Sequence, residues 1–336
     1  EGRQRFTFLT GISKFSKVSI FSDLNNLKDM TMERSCATLF GYTRGEVERN
    51  LPGLLGRFAE ANGLTRAQGL AEIERWYDGY RFEEEAERVI NPVSLGLCLA
   101  SCKLRNYWAT TAMTTFLMDA LKRRPLNFAK VDVDESVLGT YEPDRADFTT
   151  LLFQTGYLTI TGFQQRGTTR RYALDFPNLE VENSFLRQVV PAYTGQEQNR
   201  ANDIQADAVD ALYAGEPERF VAALKRLFAN IPYDLTDRQN EQMWQAIVYV
   251  ILKMIGVAAE AEVKTNEGRI DMTLETPEHG YVVEFKLGAS AAAAIAQIKA
   301  NHYADRFAGN GKTLTLIGLA FSKEKRTVVD AAIEEV

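Results

Sequence analysis

The sequence predicts a multidomain α/β protein, and three observations carry that expectation. The chain has 336 residues, 45% of them hydrophobic, more than one core usually holds and enough to fill two or three. Long stretches between 29 and 124, and again between 180 and 255, repeat their apolar residues at helical spacing. Between 240 and 321, one helix, three short β-type runs, an alanine-rich helix and a last β run follow in the order αβββαβ.

Taken in chain order, FTFLTGI at 6–12 reads as a short buried strand, and 13–24 as a loop or second short strand. From Asp29 to Arg88 the pattern is helical. In TRAQGLAEIERWYDGYRF, Leu70, Ile73, Trp76 and Tyr77 fall at i, i+3, i+6 and i+7, with Asp78 and Gly79 at the helix end. Asn91-Pro92 breaks the chain before a helix from Ser94 to Leu104. YWATTAMTTFLMDALKRR predicts a further helix, with Lys122, Arg123 and Arg124 in the last turn, where the helix dipole favours cations.

LLFQTGYLTITGF and RRYALDF, separated by the polar QQRGT, predict a β-hairpin. Helices return in VENSFLRQVVPAYTG and DIQADAVDALYAGEPERFVAALKRLFANI, with a domain boundary in the polar TGQEQNRAND. The last quarter reads as a helix from Asn240 to Ile255 closed by Gly256, then strands VAAEAEVKT, RIDMTLET and YVVEFKL. A helix AAAAIAQIKANHYADRF and a strand TLTLIGLAF complete it. Domains are expected at 1–105, 106–204 and 205–336.

Composition narrows the function classes. Net charge is −6, so no global basic field draws in nucleic acid, although a local groove suffices for binding. No stretch reaches the roughly 18 apolar residues of a membrane span, and the start lacks the pattern of a signal peptide, so a cytoplasmic setting without membrane contact is expected. The chain starts at Glu1 and enters an apolar run directly, which reads as the interior of a longer gene product. Cys36, Cys98 and Cys102 lack zinc spacing and read as reduced thiols. With only His279 and His302, a histidine-rich metal site is excluded, and any metal would be a hard cation held by carboxylates.

The candidate chemistry lies in YVVEFKL. Strand alternation puts Glu284 and Lys286 on one face and Val283, Phe285 and Leu287 on the other. In RIDMTL, Arg269, Asp271 and Thr273 alternate with Ile270, Met272 and Leu274, so a hairpin through 277–280 can bring Asp271, Glu284 and Lys286 onto one patch. Alternation alone is also satisfied by a solvent-facing salt bridge. Adjacent carboxylates repel, and a divalent cation would turn that repulsion into a site. Mg²⁺ accepts such a set of one or two carboxylates completed by water and phosphate oxygens. GNGKT at 309–313 is not a phosphate loop. The required first glycine falls on Arg306, and the segment follows a helix and opens a strand, so it reads as a turn.

The order of a glutamate early in a helix (Glu241), GRID ending in Asp271, EFK, and a helix with Gln297 and Tyr303 resembles the PD-(D/E)XK nuclease superfamily. More closely, it is similar to the bacterial branch in which such a domain is fused to an AAA-ATPase-like domain. FTFLTGISKFSKVSIFSDLNNLKD, WYDGYRF, Asn91-Pro92-Val93-Ser94, YWATT and FQTGYLTI resemble that branch's segments. The resemblance implies the remnant of an AAA-type ATPase core with a helical region, followed by a restriction-endonuclease-like αβββαβ domain. It implies Asp271 and Glu284 as ligands of Mg²⁺ (or Mn²⁺), Lys286 as the catalytic lysine, Glu241 as a third metal ligand in competition with Glu262, and Gln297 beside the site. The implied activity is hydrolysis of DNA phosphodiester bonds. The alternative is an inactive nucleic-acid- or protein-binding module of an ATPase-like regulatory protein. Homo-oligomerisation through the ATPase-like part is expected, and ATPase activity is not.

Overall fold

In a computed structural model of the chain, the described residues are 6, 8–11, 28–108, 131–138, 148–194, 197–228, 258–265, 268–302, 311–322, 324–325 and 327–336. At 189–194, 198, 258–265 and 268–271 only the backbone is described. The expected helices over 107–124 and 240–255, and the run 13–24, lie wholly or almost wholly outside these residues. Among them are ten α-helices and two sheets. The chain divides into two compact units, Glu1–Ala112 with Lys130–Ser184, and Met113–Ala129 with Phe185–Val336. No described helix is long and apolar enough to cross a membrane.

The first unit opens with α1 (Arg44–Asn50), α2 (Pro52–Ala61), α3 (Arg66–Tyr77) and α4 (Pro92–Ser101). Local chemistry sets their starts. Thr43 with Glu46, and Thr65 with Gln68, form reciprocal capping boxes on α1 and α3. Asn91 accepts from the backbone N–H groups of Val93 and Ser94, with Pro92 in the first turn of α4. The predicted face of α3 closes the core, where Leu70, Ile73 and Tyr77 join Val47, Phe58, Ile90, Leu95 and Cys98. Burial pushes the Cys98 thiol up to about 11, which keeps it protonated and inert. At the end of α3, Gly79 has φ +112°, and a Cβ there would lie 2.0 Å from the Pro177 carbonyl oxygen. Only glycine fits that position.

Two expectations in this unit differ from the structure. Phe6, Phe8 and Leu9 are exposed and irregular rather than a buried strand, since no described strand pairs with them. LLFQ belongs to α6 (Phe148–Gln154), which follows the short α5 (Glu135–Leu138). Phe148, Leu151 and Leu152 are buried at i, i+3 and i+4, a helical spacing that the apolar run concealed. The hairpin is built by β2 (Thr159–Arg166) and β3 (Thr169–Asp175), and β1 (Val131–Asp134) pairs on the other side of β3.

The fully buried Glu180 sits in the first turn of α7 (Leu179–Thr194). Its carboxylate accepts from Ser94 Oγ at 2.7 Å and from the N–H groups of Tyr107 and Trp108 at 2.6 and 3.0 Å. It thereby ties α4 and the 107–108 segment to α7.

The second unit contains α8 (Gln198–Ala214), α9 (Pro217–Phe228) and a five-stranded sheet in the order β4-β5-β6-β7-β8. The strands are β4 (Ala258–Thr265), β5 (Gly268–Glu275), β6 (His279–Leu287), β7 (Thr313–Ser322) and β8 (Thr327–Glu335). β4, β5 and β6 form an antiparallel meander, β7 runs parallel to β6, and β8 returns antiparallel on the edge. The expected βββαβ order is present. β8 was not foreseen.

Both faces of β6 are covered. On one, Val282, Leu314 and Leu316 form a cluster with Ile295 and Ile298 of α10 (Ala291–Ala300), which lies in the crossover between β6 and β7. On the other, Phe285 meets Phe321, which meets Phe228 of α9, with ring centroids 6.0 and 5.2 Å apart. Tyr281 Oη donates to the Leu212 carbonyl of α8 at 2.7 Å. This covering explains why β6 and β7 read as nearly continuous apolar runs. Gly318 of β7 is where α10 comes closest, since a Cβ there would lie 2.3 Å from the Ala291 carbonyl oxygen and 3.1 Å from Ala294 Cβ.

Two predictions follow from these contacts. Gly318→Ala pushes α10 off the sheet and costs about 2–3 kcal/mol, read as a lower urea midpoint. Burial raises the Glu180 pKa above the ordinary 4.5, against the hydrogen bonds from Ser94, Trp108 and Tyr107, which lower it. A raised folded-state pKa gives a contribution that is full below pH 4.5 and is lost as pH rises through the folded value. Glu180→Gln removes that dependence. Between pH 4.5 and 7 the wild type therefore loses more stability than the variant in paired urea titrations.

Candidate active site

Glu284 lies at the middle of this sheet. It is in register with Gly318 of β7, and its neighbour Val283 pairs with Met272 of β5. Its relative exposure is 1%, so the face it shares with Val282 is not the wet face that alternation alone allowed. Lys286, two residues on, lies on the same face with its side chain about a quarter exposed. Its Nζ is 3.3 Å from Glu284 Oε1 and donates to Gln297 Oε1. An ammonium group offers only donors, so the amide of Gln297 must present its oxygen.

Gln297 reaches Lys286 because α10 is held close to the sheet. Ser290 caps the helix by accepting from the Ala293 N–H, and Ala291 and Ala294 are fully buried against the strands. Gly318 gives them room. This glycine was not singled out from the sequence, although a glycine inside a strand is a recognised sign of close approach.

The structure therefore brings together three of the sequence-predicted residues, Glu284, Lys286 and Gln297. Asp271 is in β5 immediately before Met272, one step along from the Met272–Val283 pair, and its side chain lies outside the described residues. Positions 262 and 271 fall between the pairs Ala261–Met272 and Val263–Ile270, so Glu262 is in the adjoining strand at the level of Asp271. Glu241 lies outside the described residues. Among the described residues, no group of three or more His, Cys, Asp or Glu side chains converges.

Other polar and charged groups take structural places. Burial pushes the Tyr281 phenol to about 12, so it stays neutral and anchors α8. In GNGKT, Gly311 has φ +74°, Lys312 pairs with Glu275 at 2.8 Å, and Thr313 starts β7, so the segment leads into a strand as expected. In KRLF, Leu227 and Phe228 are buried, while Arg226 pairs with Asp207.

Residues 239–331 match the family model described as PD-(D/E)XK nuclease superfamily. The C-terminal segment is therefore a domain of that superfamily. Over 343 residues the chain is 35% identical to "Uncharacterized protein in vnfD 5'region" of Azotobacter chroococcum mcd 1. The match covers 99% of this chain and 64% of that protein, so the chain spans just under two thirds of the relative's length. No solved structure matches.

Lys286→Met would leave the buried Glu284 carboxylate without the ammonium beside it, a change expected to cost about 3 kcal/mol. The double change Glu284→Gln with Lys286→Met recovers most of that loss. Urea melts of the two single variants and the double test this coupling, and additive losses would contradict it.

Proposed function

We propose that the chain is a nuclease dependent on a divalent metal, hydrolysing phosphodiester bonds of DNA at a site on β6. The observation that carries this reading is the Lys286 ammonium held between the buried Glu284 carboxylate and the Gln297 carbonyl oxygen of α10. The superfamily match over 239–331 supports it.

The residues present suit Mg²⁺ or Mn²⁺. Carboxylate and amide oxygens are hard donors, and no histidine or cysteine stands beside Glu284 and Lys286 in β6. Asp271 and Glu284 would hold the cation, with Glu241 completing the set. When bound, it would offset charge on the phosphate and make a water molecule more acidic.

The remaining work falls to the protein's own groups. Glu284 is nearly out of water, where electrostatic interactions are stronger than at the surface. Lys286, a compact ammonium on a flexible stem, orients the attacking water and counters negative charge building on the phosphate oxygens. Gln297 fixes where that ammonium sits.

The proposal extends to the rest of the protein only through resemblance. Residues 1–105 derive from an AAA-ATPase-like core, 205–336 form the nuclease-like domain, and the setting is cytoplasmic with homo-oligomerisation through the first part. The sequence contains no GxxxxGK[ST] motif, so ATP hydrolysis is not proposed for this chain.

Incubation with plasmid and linear duplex DNA tests the activity. Cleavage is expected with Mg²⁺ or Mn²⁺ and not with EDTA. It should fall by at least about 100-fold in Lys286→Ala and in Asp271→Ala proteins whose circular dichroism matches the wild type. Undiminished cleavage by both variants would reject the assignment.

A further inference from the structure

The alternation of β8 is broken once. In its pairing with β7, Ala320 is opposite Asp330 and Phe321 is opposite Val328, which leaves Val329 as an extra residue. Val328 is therefore buried on the face of Phe321, whereas Asp330, Ala332 and Glu334 share the α10 face with Ala320, Gly318 and Leu316. In a regular strand Val328 and Asp330, two residues apart, would take the same face. The bulge turns Asp330 toward the helix.

Each of these three residues meets α10. Asp330 Oδ2 accepts from the Ala291 N–H at 3.4 Å in the first turn, Ala332 packs against the cluster containing Ile295 and Ile298, and Glu334 pairs with Lys299 at 2.6 Å in the last turn. An acid at the start of the helix and a cation at its end both suit the helix dipole. The two polar contacts differ in weight. Lys299 and Glu334 are each about half exposed, so their pair contributes little. Ala291 is fully buried, so its N–H depends on a protein acceptor, and its carbonyl oxygen lies over Gly318. Ala291 is thus where the helix meets the sheet, and Asp330 holds it from the side.

We propose that Asp330 is a positioning residue for the candidate active site, holding the start of α10 so that Gln297 presents its oxygen to Lys286. The inference rests on the functional reading above and adds a residue which that reading does not contain. Lys286, Ala320 and Asp330 form one row across the sheet, which puts Asp330 two strand spacings, roughly 10 Å, from Lys286. That is too far for direct contact, so the effect of Asp330 passes through the helix. Gln297 lies further along α10 from Ala291, about 9 Å down the axis, and a shift of the first turn moves it relative to the ammonium that it holds. Asp330 is itself exposed, so its substitution leaves the core intact.

The test is steady-state cleavage of a labelled DNA duplex by the full chain with Mg²⁺ or Mn²⁺. Asp330→Ala should lower kcat about tenfold, with KM and circular dichroism unchanged. Asp330→Asn, whose amide oxygen still accepts the Ala291 N–H, should retain most of the wild-type rate. In a Gln297→Ala background, Asp330→Ala should cause no further loss, a non-additivity that general loosening of the fold would not produce. Glu334→Gln should match the wild type. A wild-type kcat in Asp330→Ala, an equal loss in Asp330→Asn, or losses that multiply in the double variant would overturn the role of Asp330 and leave the nuclease reading standing. Failure of the wild type to cleave overturns the nuclease reading itself, and the role of Asp330 with it.

Discussion

The second unit is organised around one constraint, a carboxylate buried in the middle of a sheet covered on both faces. Taking Glu284 out of water costs several kcal/mol unless another group compensates, and the ammonium of Lys286 at 3.3 Å contributes to that compensation. The ammonium must in turn be held, and Gln297 holds it from α10. That contact requires α10 to approach the sheet closely, which the missing side chain of Gly318 and the small side chains of Ala291 and Ala294 allow. Aromatic packing of Phe285 and Phe321 keeps the opposite face of the strand dry. An apolar residue at 284 would be the easier solution for stability, so the placement of charge there points to chemistry.

Much of this was legible in the sequence because local signals agreed with the final fold. The break at Asn91-Pro92 marked the start of a helix that the structure keeps. The alternation in YVVEFKL placed Glu284 and Lys286 together, whereas Gln297, which meets Lys286 in the structure, was expected there from the family resemblance alone. The elements that escaped notice depend on contacts distant in the chain. Strand β8, at the edge of the sheet among the described residues, mixes polar and apolar positions, and TVVDAAIEE shows no clean alternation. Helix α6 was hidden in an apolar run that a strand fits equally well. The covering of the Glu284 face by α10 is a tertiary fact that no period-two pattern contains.

The central claim is that Glu284 belongs to a divalent-cation site, and calorimetric titration of Mn²⁺ into the full chain tests it most directly. The account predicts binding by the wild type that is lost in Glu284→Gln and in Asp271→Asn proteins of unchanged circular dichroism. Identical isotherms for all three proteins would contradict it.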